Sequence, residues 1–394
     1  MAGGDNKKNG AFIKFVITLW KISKMLFEKY QYFAYEFPEP QYLGAKYTLL
    51  SWLVQYIPKN TKTAIDAFSG SQSVAFLLKQ LGHQVFTNDF LSFNHQLGKS
   101  LIENSNIILT KNDLEILFQK SPQKDKFTLI ENTYTDLFFE REEAVFLDNC
   151  RANIQFLENE YKKSLAISLI NRSLQRKITM GHFGHTQALV YANDKERIKR
   201  NPNLARPIRD IFMDLLPKYN KAIFDNEQEN KSFSENILDL LPKLLEKQTV
   251  DLVYFDPPYC DSHADYQSFY HLAETYTEYW QDKQFINGIK RYEPQKFSGF
   301  DKKKDVIQSF HTLFDYAKDI PNWLLSYNDR SFPNVETLKN IIQNYKDVEI
   351  ATKTYQNGRG GKGSVAGSQE ILFICKPKTV FNLNFENENA TAKL

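Results

Sequence analysis

The chain has 394 residues, 42% apolar and 25% charged, with 31 Phe and 21 Tyr. That composition excludes a disordered or fibrous protein and suggests two domains at roughly 100–200 residues each. Lys and Arg total 50 against 47 Asp and Glu, a net charge of +3, so bulk charge neither requires nor excludes a polyanionic partner and charge placement must decide. Three cysteines, Cys150, Cys260 and Cys375, exclude a disulfide framework and a cysteine-only zinc site, and fit a reducing cytoplasm. No run approaches the roughly 18 apolar residues of a spanning helix, and the expectation is a soluble, cytoplasmic protein without a membrane partner.

The first ten residues are polar. From Phe12 to about Phe33 the apolar residues (Phe12, Phe15, Val16, Leu19, Trp20, Leu26) follow helical spacing, which predicts a helix packed on the body of the protein. Residues 1–40 read as an N-terminal extension ended by Pro38 and Pro40. Tyr47 to Ile57 reads as a helix, Thr63 to Phe68 as a short buried strand, Ser69 to Ser71 as a turn, Val74 to Leu81 as a helix and Gln84 to Thr87 as a second strand. This is a βαβ unit. Residues 94–230 change character and are mostly helical in pattern. Between Asn171 and Asp210 they hold nine Lys/Arg and three acidic residues, a local excess of twice the whole chain's. Arg172, Arg176, Lys177, Arg197, Lys199 and Arg200 are the candidate phosphate contacts of this region. Strands then resume at Asp251 to Phe255, Asn322 to Ser326, Val348 to Thr354 and Glu370 to Cys375, before a polar tail at 381–394. The expected organisation is one α/β domain, 41–93 and 231–380, interrupted by a helical insertion, 94–230.

The sharpest motif is Asp256-Pro257-Pro258-Tyr259, directly after the strand DLVYF. Open α/β sheets place their ligands at the carboxyl ends of such strands. A carboxylate accepts hydrogen bonds, two prolines stiffen the backbone and hold their carbonyls as rigid acceptors, and a tyrosine offers a face for stacking. Together they suit a planar exocyclic amine on a heterocycle. The tetrapeptide resembles the catalytic motif of the alpha group of DNA adenine-N6 methyltransferases, the Dam-like enzymes. Ile65-Asp66-Ala67-Phe68-Ser69-Gly70 resembles that family's cofactor loop. Asn88-Asp89-Phe90 closes the second strand and places an acid where ribose hydroxyls are bound. Tyr42 to Leu50 resembles its Gly-x-Lys-x-x-Leu-Leu segment, and Asn236 falls in the segment that contacts the cofactor's adenine.

The resemblance implies a Rossmann-like, S-adenosylmethionine-dependent methyltransferase fold with an inserted, mainly helical target-recognition domain. It implies catalysis by Asp256, Pro257, Pro258 and Tyr259, and cofactor binding by Tyr42, Lys46, Asp66, Phe68, Gly70, Asp89, Phe90, Asn236 and Asp256, with Lys46 near the methionine carboxylate. It also implies methyl transfer to N6 of a flipped adenine in double-stranded DNA, as the modification enzyme of a restriction–modification system whose endonuclease is a separate protein. The alternatives are an RNA base amino-methyltransferase and a non-catalytic DNA-binding subunit. Gly358 to Gly363 satisfies G-x-G-x-x-G but leads into a strand, so the phosphate-cradling mechanism does not apply. Its Arg359 and Lys362 are candidate DNA contacts. His182 and His185 lack a third partner at metal-ligand spacing, and no metal is expected.

Overall fold

The computed structural model describes residues 34–38, 40–178, 182–184, 186–260, 266–281, 283–286, 288–293, 298–354 and 369–379. The expected helix from Phe12, the loop carrying Arg359 and Lys362, and the tail lie outside them. Among the described residues the strands are β1 (Thr63–Asp66), β2 (Gln84–Asn88), β3 (Lys231–Phe233), β4 (Leu252–Phe255), β5 (Phe285–Ile286), β6 (Arg291–Tyr292), β7 (Asn322–Asn328), β8 (Asp347–Thr354) and β9 (Gln369–Lys376). Seven form one sheet in the order β3-β2-β1-β4-β7-β9-β8, and β5 and β6 pair separately. Neighbours from β3 to β7 are parallel, while β9 runs antiparallel between β7 and β8. The fold is mixed α/β with a largely parallel central sheet.

The strand sequences are nearly continuous apolar runs because both faces of the sheet are covered. Alternate residues enter two different cores. Ala64, Val85, Leu252, Tyr254, Leu324 and Leu372 face one core, and Ile65, Phe86, Val253, Phe255, Trp323, Leu325 and Phe373 the other. The second core is closed by the helices Ile237–Leu245 and Lys303–Ala317. The first takes Phe76 and Leu77 of the helix Ser73–Gln80. It also takes Leu101, Ile130, Leu147, Leu165, Ile170 and Phe212 from the helical stretch between β2 and β3. That stretch therefore shares a continuous core with the sheet.

Two features aim residues at the carboxyl edge of the sheet. Gly70 has φ +44°, and a Cβ there would stand 2.9 Å from Cε1 of Tyr42, so only glycine fits. Gln72, a non-glycine residue at φ 65°, is held there by its side chain. Its amide donates to Ser69 Oγ at 2.7 Å and to the Asn94 carbonyl at 3.1 Å, and its carbonyl oxygen accepts from Thr87 Oγ1 at 2.6 Å. Such a conformation persists where the surroundings over-determine it.

Candidate active site

A cavity of about 790 Å³, its mouth included, opens where β1, β2 and β4 end. Its wall includes all of Tyr42, Lys46, Asp66, Phe68, Gly70, Asp89, Phe90, Asn236 and Asp256, together with Pro258 and Tyr259. Residues from five separate stretches of sequence thus meet in one place. Pro257 is buried and is not part of the wall.

At the β1–β2 side, the Asp89 carboxylate is fixed by two backbone donors, Gly70 N–H at 2.9 Å and Leu91 N–H at 2.8 Å. Asp66, at the end of β1, accepts from Ala75 N–H in the first turn of the helix Ser73–Gln80 at 2.9 Å. Its other oxygen, Oδ1, is buried with no hydrogen-bond partner. Burial, reinforced by nearby Asp256, pushes the Asp66 carboxyl well above the usual carboxylate range. Asn236 lines the cavity while its side chain caps the helix Ile237–Leu245, accepting from Leu238 N–H at 3.0 Å. Tyr42 stacks on Tyr270 with ring centroids 4.7 Å apart and on Tyr266 at 5.6 Å. Asn94 donates to its hydroxyl at 3.2 Å.

At the β4 end the arrangement is denser. Lys46, only 4% exposed, places Nζ 2.9 Å from Asp256 Oδ2 and 3.4 Å from Glu370 Oε1. The same ammonium donates to the Gly44 carbonyl at 3.0 Å and to the Tyr259 hydroxyl at 3.1 Å. Tyr259 in turn donates to Asp256 Oδ1 at 2.9 Å. Its ring is half-buried and meets Tyr327 edge-on at 5.7 Å. Tyr254, from β4, donates to Ser326 Oγ at 2.7 Å. Asp256 is thus a carboxylate gripped on both oxygens by the chain's own donors. Each oxygen keeps a second lone pair for an incoming N–H.

The resemblance implies a place for Lys46 near the cofactor's carboxylate; in the structure it lines the cavity with its ammonium 2.9 Å from Asp256 Oδ2. Sequence alone marks Glu370 only as the start of a strand. A signal exists, since Glu370 shares the inward phase of β9 with buried Leu372, where a charge is unusual. Tyr254, Tyr266 and Tyr270 carry no such signal, because tyrosines in apolar surroundings read as core.

The basic residues divide sharply. Arg172 is 6% exposed and donates to Gln41 Oε1 at 3.1 Å, inside the protein. Lys177 is committed to Glu143 at 2.5 Å, and Arg176 is half-buried. Arg197 stacks over Tyr191 at 3.8 Å and lies 3.5 Å from Asp194. Lys199 and Arg200 are exposed at the end of the helix Lys195–Arg200. Among the described residues there is no group of three or more His, Cys, Asp or Glu that could hold a metal ion, and no helix long and apolar enough to cross a membrane.

The largely parallel sheet carries an acid-lined cavity at its carboxyl edge, with Asp-Pro-Pro-Tyr at the cavity's end. Residues 42–341 match the D12 class of N6 adenine-specific DNA methyltransferases, and the chain belongs to that family. It is an adenine-specific DNA methyltransferase, and the RNA alternative falls with that assignment. It is similar to the type II methyltransferase M2.HphI of Haemophilus parahaemolyticus, 31% identical over 86% of this chain and 98% of that one. The modification methylase StsI of Streptococcus sanguinis is 26% identical over 86% of this chain and 52% of its own length. The type II methyltransferase M.FokI of Planomicrobium okeanokoites is 26% identical over 77% and 47%.

Proposed function

We propose that the cavity binds S-adenosylmethionine and that the protein methylates N6 of an adenine flipped out of double-stranded DNA, as the modification enzyme of a type II restriction–modification system. The observation that carries this reading is the meeting of the Asp66–Gly70 loop, Asp89 and Asp256 around one cavity. The residues present fit the donor. Asp89, held by the Gly70 and Leu91 backbone N–H groups, presents the carboxylate that ribose hydroxyls would donate to. The partnerless Asp66 Oδ1 suits an α-ammonium. Phe68, Phe90 and Tyr42 supply apolar walls, and Asn236 is the polar group closest in role to an adenine contact. When bound, the donor supplies a methyl group on a positively charged sulfur.

The chain's own part is to make N6 a nucleophile. The N6 lone pair is delocalised into the purine ring. Asp256 and the Pro257 carbonyl accept its two N–H bonds, which localises the lone pair and aims it along the line of displacement. Catalysis then rests on positioning and on a fixed anion beside the charge that develops on nitrogen. The proton lost from N6 passes to the Asp256 carboxylate. N6 is out of reach inside a duplex, so the base has to be extruded, and Tyr259 is the ring that takes it.

The helical stretch between β2 and β3 is assigned target recognition. Lys199 and Arg200 are its exposed phosphate contacts, with Arg197 braced between Tyr191 and Asp194. Arg172 acts inside the fold. The test is equilibrium binding of S-adenosylmethionine. Asp89→Ala is expected to lose it and Asp256→Ala to keep it. Undiminished binding by Asp89→Ala would move the donor out of this cavity.

A further inference from the structure

Beneath Asp256 one cation serves two carboxylates. Lys46 Nζ is 2.9 Å from Asp256 Oδ2 and 3.4 Å from Glu370 Oε1. Glu370 is wholly buried, and the donors around it, Lys46 and the Ser326 hydroxyl, meet its oxygens only in long or poorly aligned contacts. Lys46 is therefore its counter-charge. The backbone of Glu370 is fixed on both sides, opposite Asn328 of β7 and Lys353 of β8. Its other neighbours are Tyr254, Asp256 and Ser326, whose hydroxyl accepts from Tyr254 and turns its own proton toward the Glu370 carboxyl. Lys353, in register across the ladder, turns its ammonium over the Trp52 ring, 5.9 Å from the centroid. A buried carboxylate with so little compensation costs stability. An uncharged residue at the inward phase of β9 would pack there at lower cost, so a structural role does not account for it.

We propose that Glu370 is a positioning residue for methyl transfer, acting through Lys46. It draws on the ammonium from the side opposite Asp256, so that Lys46 orients the Asp256 carboxylate without neutralising it. The ammonium has three protons for more than three acceptors, among them Asp256, Glu370, the Gly44 carbonyl and the Tyr259 hydroxyl. Remove the Glu370 charge and Lys46 settles fully on Asp256. The carboxylate then becomes a weaker acceptor for N6–H. The inference rests on the reading of Asp256 as the N6 acceptor. Burial pushes the Glu370 carboxyl up to about 7 against the pull of Lys46, so the pair forms as pH rises through neutrality.

The experiment is steady-state methylation of duplex DNA by the full chain across about pH 6 to 9, for wild type, Glu370→Gln, Glu370→Asp and Asp256→Ala. In the wild type kcat should rise as pH passes about 7. Glu370→Gln should lower kcat about ten-fold, hold KM for DNA and for donor within about three-fold, and lose that rise. Glu370→Asp should recover part of both. A folded Glu370→Gln enzyme with wild-type kcat and the same pH profile would overturn the proposal, as would a loss carried entirely by KM. Asp256→Ala separates the two failures. If it still transfers methyl, the reading of Asp256 is wrong. If it is dead while Glu370→Gln matches wild type, only the role of Glu370 is wrong.

Discussion

Replacing Glu370 by Gln should raise stability relative to wild type as pH climbs from about 5 to about 8, and the gain over that interval can be worked out from its surroundings. Burial moves the carboxyl from an ordinary 4.5 to about 7. Between those values the folded state holds a proton that the unfolded state has released. Stability from this group is therefore present at low pH and is lost as pH rises from about 4.5 through 7, then stays constant. Each pH unit crossed inside that window removes about 1.36 kcal/mol, so the loss between pH 5 and pH 8 is about 2 to 3 kcal/mol. Glutamine cannot ionise and escapes it. Any cost of burying the amide is the same at both pH values and cancels in the difference. The assay is denaturant unfolding of wild type and variant at pH 5 and pH 8. The variant should gain about 2 to 3 kcal/mol on wild type over that interval. A constant offset at the two pH values, or a variant that loses ground at pH 8, would show that Glu370 is not a buried carboxylate held against its charge.

Asp256→Ala should lower methyl transfer by at least about 10²-fold while S-adenosylmethionine affinity, read by calorimetry, changes little. Gly70→Ala forces a side chain into a left-handed position and against Tyr42, so it should cost about 1 kcal/mol of stability and weaken donor binding far more than that loss explains. Thermal melts and calorimetry on one preparation separate the two effects. Substituting Lys199 and Arg200 together by Ala should reduce the slope of log affinity for duplex DNA against log salt by about 1.8, at about 0.9 per phosphate contact. Substituting Arg172 should instead lower the melting temperature, because its side chain is buried against Gln41.

Much of the sheet is legible in the sequence because its strands are short apolar runs between breakers. The strands expected at Thr63, Gln84, Asp251, Asn322, Val348 and Glu370 begin within a residue of those observed. β3 escapes because three residues on a sheet edge, KSF, carry no period. The motif residues are legible as chemistry, and the fold brings them together. Their pairings are not legible, since a lysine in sequence does not announce that its partner is the carboxylate of the catalytic motif, 210 residues on in the chain. Local charge density marks residues 171–210, yet density cannot separate a buried Arg172 from an exposed Arg200. That distinction depends on which helix packs into the core: Arg172 lies on the largely buried helix Glu160–Arg176, and Arg200 ends the helix Lys195–Arg200, which buries none of its residues.

The central claim is chemical, and one measurement meets it directly. Duplex DNA carrying many sequence contexts is incubated with the protein and methyl-labelled S-adenosylmethionine, hydrolysed, and its nucleosides separated, with Asp256→Ala in parallel. Label is expected in N6-methyldeoxyadenosine for the wild type and none for the variant. Label in a cytosine derivative, or equal label in the variant, would rule out Asp256-dependent transfer to adenine N6.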